Sequence, residues 1–320
     1  MRIIFMGTPD FAVPSLKALV ENKYDVVAVV TQVDKPKGRG HKLMPPPVKE
    51  YALSQNIPVI QPVKLSKEPE IVEKLMKLNP DVIVTCAFGQ ILPQSVLDIP
   101  KFGTINVHGS LLPKYRGAAP IHWAIINGEK KTGITTMFTD IGLDTGDMLL
   151  KDEIQIHDDM TVGELHDIMS LQGANTLIRT LVELEKGTLE RIKQDEKEAT
   201  YAPKVDKETG HISWENTSKK IHDLIRGTTP WPGAWTEFSG TKVRLWGSKP
   251  LEDAEMKVMG HINAEKVKPG TILAIDSNGV IVKTADGAIL IKEIQVGSKK
   301  RMTPYDYSLG HDFRPGMIFE

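Results

Sequence analysis

Asn106 and His108 stand two residues apart at the end of the short apolar run Gly103-Thr104-Ile105. A carboxylate, Asp144, follows in Asp140-Ile141-Gly142-Leu143-Asp144-Thr145-Gly146-Asp147. Side chains two apart on a strand share a face. An asparagine amide donates N–H bonds without ionising, which suits a developing oxyanion. A histidine exchanges protons near neutrality, and a nearby carboxylate orients the imidazole and favours its charged form. None of the three is an obvious nucleophile, so the attacking atom is expected to arrive with a substrate. Such a set suits acyl transfer between nitrogens through a tetrahedral intermediate. Read alone, the same residues serve equally well as a strand-end cap and a turn. The polar, glycine-containing loop Gly109-Ser110-Leu111-Leu112-Pro113 favours the chemistry.

The surrounding pattern says what must position them. Short β-branched runs at 2–6, 26–31, 81–86, 103–107, 133–139 and 148–154 alternate with helical patterns near 12–21, 47–55, 66–78, 117–127 and 161–186. Strands separated by helices pair in parallel through right-handed crossovers, predicting an α/β fold whose open, mostly parallel sheet is covered on both faces. Ligands bind such sheets at the carboxyl ends of strands, where Asn106 and His108 fall. Gly7-Thr8-Pro9-Asp10 carries only the first glycine of a dinucleotide fingerprint and reads as a tight turn into a helix. The charged stretch 188–206 lacks an apolar stripe and reads as a linker between a catalytic domain (1–187) and a second domain (207–320). In the latter one helix precedes short strands at 234–238, 242–247, 270–275, 278–284 and 288–295. Turn signals at Asp276-Ser277-Asn278-Gly279 and Ala285-Asp286-Gly287 predict a small β-barrel.

Composition narrows the function. A chain of 320 residues exceeds one comfortable domain. A net charge of −1 excludes a global basic field, so any nucleic-acid binding must come from local patches. The single cysteine, Cys86, excludes an internal disulfide framework and a multi-cysteine zinc site, and reads as a buried structural thiol in a reducing compartment. The scattered His and Asp residues lack metal-ligand spacing, so no metal is predicted. No apolar run approaches the roughly 18 residues that cross a bilayer. The first strand begins at Arg2, leaving no room for a cleaved leader, and a cytoplasmic, bacterial protein is expected. The basic loop from Asp34 to Lys49 is long for an α/β unit, where about two to six residues are usual. Glycines flanking Arg39 permit close approach to phosphate or a groove.

Two of these motifs carry a resemblance. Asn106-Val107-His108-Gly109-Ser110-Leu111-Leu112-Pro113, with Arg116-Gly117-Ala118-Ala119-Pro120-Ile121, resembles the signature of the 10-formyltetrahydrofolate-dependent formyltransferases. Leu143-Asp144-Thr145-Gly146-Asp147 is similar to their second motif. Segments 4–12, 37–45 and 230–235 resemble the branch that acts on methionyl-tRNA, and the likeness runs through both domains. It implies a Rossmann-like N-terminal domain, an OB-like C-terminal barrel, and formyl transfer from N10 of 10-formyltetrahydrofolate to the α-amino group of methionine on initiator tRNA. By the same resemblance Asn106, His108 and Asp144 are catalytic. The folate is expected along Phe88, Gly89, Gln90, Ile91 and Leu92, with Asp140 at its polar edge. Ser110, Leu111, Leu112 and Pro113 would line its formyl-bearing end. Lys37, Arg39 and Lys42 are expected at the tRNA acceptor end, Arg39 foremost, with further basic contacts from the C-terminal domain. Trp231 and Trp235 read as core or domain-interface residues. A monomer is expected. The alternatives are a formyltransferase for a nucleotide-linked amino sugar, a purine-ribonucleotide formyltransferase, for which the motif-bearing domain alone would suffice, a non-catalytic folate- or RNA-binding protein, and a formylfolate hydrolase.

Overall fold

In the computed structural model, which describes residues 1–37, 42–251 and 267–320, the chain alternates strands and helices through its first half. The order is β1 (Arg2–Gly7), α1 (Val13–Glu21), β2 (Asp25–Val30), β3 (Lys35–Lys37), β4 (Lys42–Met44), α2 (Pro47–Ser54) and β5 (Val59–Ile60). Next come α3 (Pro69–Lys77), β6 (Val82–Cys86), α4 (Gln94–Leu97), β7 (Thr104–His108) and β8 (Arg116–Gly117). They are followed by α5 (Pro120–Ile126), β9 (Lys131–Phe138), β10 (Met148–Gln155), α6 (Val162–Lys186) and β11 (Tyr201–Ala202). Proline at the start of α1, α2 and α3 sits where a helix has no N–H to lose. A reciprocal Thr161–Glu164 pair caps α6.

Seven strands form one sheet in the order β10-β9-β7-β6-β1-β2-β5. The pairs from β7 to β5 are parallel, and β6 is buried along its whole length, as a strand covered on both faces must be. At the other edge β9 runs antiparallel to both β7 and β10. No crossover helix separates β9 from β10, so the chain returns directly and the parallel run ends there. The switch in strand order puts β1 and β6 at the sheet's centre. The apolar core there includes Ile4, Met6, Val30, Ile83 and Phe88.

The chain divides into two compact units. One comprises Met1–Pro120, Lys131–Gln155 and His166–Ala202, and the other Ile121–Lys130, Ile156–Leu165 and Pro203–Glu320. The stretch 188–202 therefore packs with the sheet unit: Ile192 bridges to Met148, and β11 pairs in parallel with β8. The second unit holds α7 (Ser218–Gly227), β12 (Ala234–Phe238), β13 (Thr241–Leu245), β14 (Ser248–Leu251), β15 (Ile272–Asp276), β16 (Gly279–Lys283), β17 (Ala288–Ile291), β18 (Ile294–Val296) and α8 (Pro304–Ser308). Its strands are antiparallel, in the orders β12-β13-β18 and β14-β17-β16-β15. The run expected as one strand over 288–295 breaks at Lys292-Glu293. Its first half pairs with β14 and β16, and its second half pairs with β13. Such a switch between sheets makes a corner and lets two sheets share one core. Trp214, Phe238, Phe313 and Phe319 are buried in that core.

Candidate active site

Parallel pairing of β6 with β7 places Thr85 opposite Asn106. The Thr85 hydroxyl donates to Asn106 Oδ1 at 2.9 Å. That bond occupies the acceptor end of the amide and leaves its NH₂ end as the donor offered to a ligand. Asn106 itself is half-buried, whereas Thr85 is buried.

Two residues further along the strand, His108 is buried, and its Nε2 lies 3.0 Å from the Tyr115 carbonyl. A carbonyl only accepts, so Nε2 carries the proton and donates. The other nitrogen, Nδ1, lies 3.7 Å from Asp144 Oδ2. This spacing is an ion-pair distance once Nδ1 is protonated, and is longer than a direct hydrogen bond. The same Oδ2 accepts from the Gly117 N–H at 2.8 Å. Thus Tyr115 and Gly117, on either side of Arg116, hold the imidazole and the carboxylate by backbone groups alone. Both Tyr115 (φ 59°) and Asp144 (φ 53°) occupy the left-handed region, which is costly for a bulky Tyr and cheaper for Asp. Gly146 completes the turn against β9. A Cβ there would collide with the Phe138 carbonyl.

The expected folate-lining residues divide in their placement. Phe88 and Leu92 are buried in the sheet core, Gly89 adopts φ 80°, and Ile91 is 82% exposed. The Phe88 carbonyl accepts from Thr8 Oγ1 and Gln32 Nε2. Gln90 spends its side chain on the Leu65 N–H and the Pro62 carbonyl, so its polar atoms brace the neighbouring loop. Ser110 is buried and donates to the Lys114 carbonyl, while Thr135 ties the Ser110 carbonyl to the Leu112 N–H. Leu112 and Pro113, joined by a cis peptide bond, are also buried, and Leu111 is half-buried. The Lys151 ammonium donates to the Leu112 carbonyl, and burial lowers its pKa. Asp140 accepts from the Gly142 N–H and the Thr145 hydroxyl within its own loop, where Ile141 and Leu143 are exposed. A groove of about 480 Å³ lies elsewhere, at the start of β7, lined by residues such as Thr104, Phe138 and Arg191. None of the expected site residues lines it.

Lys37 and Lys42 are register partners at the paired ends of β3 and β4. Arg39 lies outside the described residues. Trp231 is 52% exposed and so is not a core residue; its ring meets His122 edge-on. Trp235 is half-buried beneath the Lys242 ammonium, 3.3 Å from the ring centroid. Cys86 is fully buried, which pushes its thiol up to about 12 and leaves no thiolate to act as a nucleophile. Among the described residues no group of three or more His, Cys, Asp or Glu could hold a metal ion, and no helix is long and apolar enough to cross a membrane.

Sequence reading missed Thr85, the backbone groups of Tyr115 and Gly117, and Gln194. Gln194 Nε2 donates to the carbonyls of Asp144 and Gly146, both at 2.8 Å. Its Oε1 accepts from Arg116 Nε at 3.0 Å. The Arg116 side chain is fully buried and makes a two-pronged pair with Glu196, at 3.0 and 2.8 Å. That hydrogen bonding raises the guanidinium pKa above its ordinary value.

Comparison with known proteins covers both units. Residues 1–181 match the model of the formyl transferase family, and residues 204–312 match that of the formyl transferase C-terminal domain. The methionyl-tRNA formyltransferase of Acetivibrio thermocellus is 54% identical over 318 residues, 99% of each chain. That of Clostridioides difficile is 49% identical over the same length and coverage. Among solved structures, an N-formyltransferase from Helicobacter canadensis, in complex with folinic acid and dTDP-3-aminofucose, superposes with a TM-score of 0.65. It is 21% identical, with 90% of this chain and 98% of that chain covered, a likeness of fold alone.

Proposed function

The chain belongs to the formyl transferase family, and we propose that it moves the formyl group of 10-formyltetrahydrofolate to the α-amino group of methionyl-initiator tRNA. The observation that carries this reading is Asn106 and His108 two residues apart on β7 with Asp144 3.7 Å from the His108 ring, in a chain 54% identical along 99% of its length to a relative of that name.

In the proposed mechanism the free α-amino group attacks the formyl carbon. An unperturbed α-amino group titrates at about 7.7–8.0, so a usable neutral fraction is present at pH 7. As the new C–N bond forms, the carbonyl electrons move onto oxygen. The Asn106 NH₂ end, fixed by Thr85, donates to that oxyanion. The proton lost by the attacking nitrogen passes to the departing N10, and the C–N10 bond breaks with its electron pair going to that nitrogen. With Nε2 committed to Tyr115, His108 takes part through Nδ1, which lies 3.7 Å from the Asp144 carboxylate. The products are the N-formyl ester and tetrahydrofolate, with no net proton change.

On this reading the exposed apolar residues Ile91, Ile141 and Leu143 are candidates to cover the pterin, alongside the backbone of Gly89 and the Asp140 loop. The basic loop carrying Lys37, Arg39 and Lys42 would meet the acceptor end of the tRNA, with further contact from the second unit. The enzyme would work as a monomer in the cytoplasm. The test offers the purified protein 10-formyltetrahydrofolate with charged initiator tRNA, charged elongator methionine tRNA, or a nucleotide-linked amino sugar. Formylation of the initiator in clear preference to both others is expected. Preference for the amino sugar would overturn the assignment.

A further inference from the structure

We propose that Gln194 is a positioning residue for catalysis, acting through Asp144 and His108 without touching substrate. The inference rests on the catalytic reading of those two residues. It stands on one connected set of bonds. The Gln194 amide NH₂ grips the loop at Asp144 and Gly146, and its carbonyl is held by Arg116. Arg116 lies between Gly117, whose N–H holds the Asp144 carboxylate, and Tyr115, whose carbonyl holds His108. A single side chain is therefore bonded at one end to the backbone of Asp144 and at the other to the residue between the anchor of the carboxylate and that of the imidazole.

The stretch from Gln194 to Ala202 extends this hold. Glu196 takes both remaining guanidinium arms of Arg116. Thr200 accepts from the Tyr115 N–H through its hydroxyl, at 2.9 Å, and from the Arg116 N–H through its carbonyl, at 2.8 Å. β11 then pairs with β8. The charged stretch is thus a clasp that fixes the separation of His108 Nδ1 and Asp144 Oδ2. Asp144 sits in the left-handed region, and the two carbonyl bonds from Gln194, to Asp144 and Gly146, restrain the backbone there. A displacement on the order of 1 Å in a catalytic constellation can cost about a hundredfold in rate.

The test compares wild type with Gln194→Met, which keeps the length and removes both polar ends, and with the milder Gln194→Asn. Steady-state constants for folate and charged tRNA, the pH profile of kcat, and the His108 ring-nitrogen NMR titration are measured on the full chain. The expected result is a fall in kcat of about ten- to a hundredfold in Gln194→Met, KM for both substrates within about twofold, and displaced pH and His108 titration curves. Gln194→Asn should fall between the two. If kcat and both titrations match wild type while only the melting temperature falls, Gln194 is merely structural and the proposal fails. Should Gln194→Met not fold, unchanged kcat and titrations in Gln194→Asn overturn it equally. Wild-type turnover in Asn106→Ala would instead refute the underlying catalytic reading, whatever Gln194 does.

Discussion

Thr85 and Asn106 face each other across the β6–β7 pair, and the threonine hydroxyl holds the asparagine carbonyl oxygen at 2.9 Å. On the proposed function, a strand pairing thereby decides which end of the Asn106 amide is turned to the substrate. Replacing Asn106 with Ala should lower kcat about 10²–10³-fold, the usual loss for one oxyanion donor. Thr85→Val removes only the orienting bond. Its kcat should fall about two- to twelvefold, from a hydrogen bond worth roughly 0.5–1.5 kcal/mol, while Thr85→Ser stays near wild type. Steady-state kinetics checks both, and equal activity in Thr85→Val and Thr85→Ser would exclude an orienting role.

The basic loop yields a second prediction. Arg39→Ala should raise KM for charged tRNA about tenfold or more, with the KM for folate unchanged. Loss of one phosphate contact should also reduce the slope of log affinity against log salt by about 1. Parallel losses for both substrates would mean that the loop has a structural role instead.

Acid should act on the second unit through His222. Its ring is buried, with Nδ1 against Ser248 Oγ and Nε2 against the Asp158 carbonyl. Burial is the main cause that lowers its pKa below the ordinary 6.5, with the Arg226 charge adding to it. The folded state therefore binds its proton less well than the unfolded chain. Stability from the neutral ring is present above pH 6.5 and is lost as pH falls through the lowered folded value. Urea unfolding of wild type should weaken more steeply than that of His222→Gln between pH 7 and the folded pKa. A constant difference across that window would exclude His222 as the source.

Much of the sheet was legible because apolar β-branched runs mark buried strands wherever they fall. The segments expected at 81–86 and 103–107 are β6 and β7 within a residue. The site was legible only in part. Asn106 and His108 reveal themselves by type and spacing at a strand end, but Thr85 gains its role from register, which no local pattern contains. Gln194 lies farther beyond reach. A segment held by side-chain bonds to a loop and a single buried arginine has no apolar period, so the stretch around it reads as a linker. Of the two places expected for Trp231, core or domain interface, its exposure excludes the first. A large aromatic residue suggests a core, yet this one is half in solvent.

Gly146 does no chemistry, yet any side chain there would strike the Phe138 carbonyl. Every base change that alters a glycine codon to another amino acid adds at least a Cβ. In a saturation scan under selection for growth on this activity, Gly146 should therefore be as intolerant as Asn106. The gene's vulnerable target is wider than its reacting groups. Some of its most damaging alleles will fall at a position where an inhibitor would find nothing to grip.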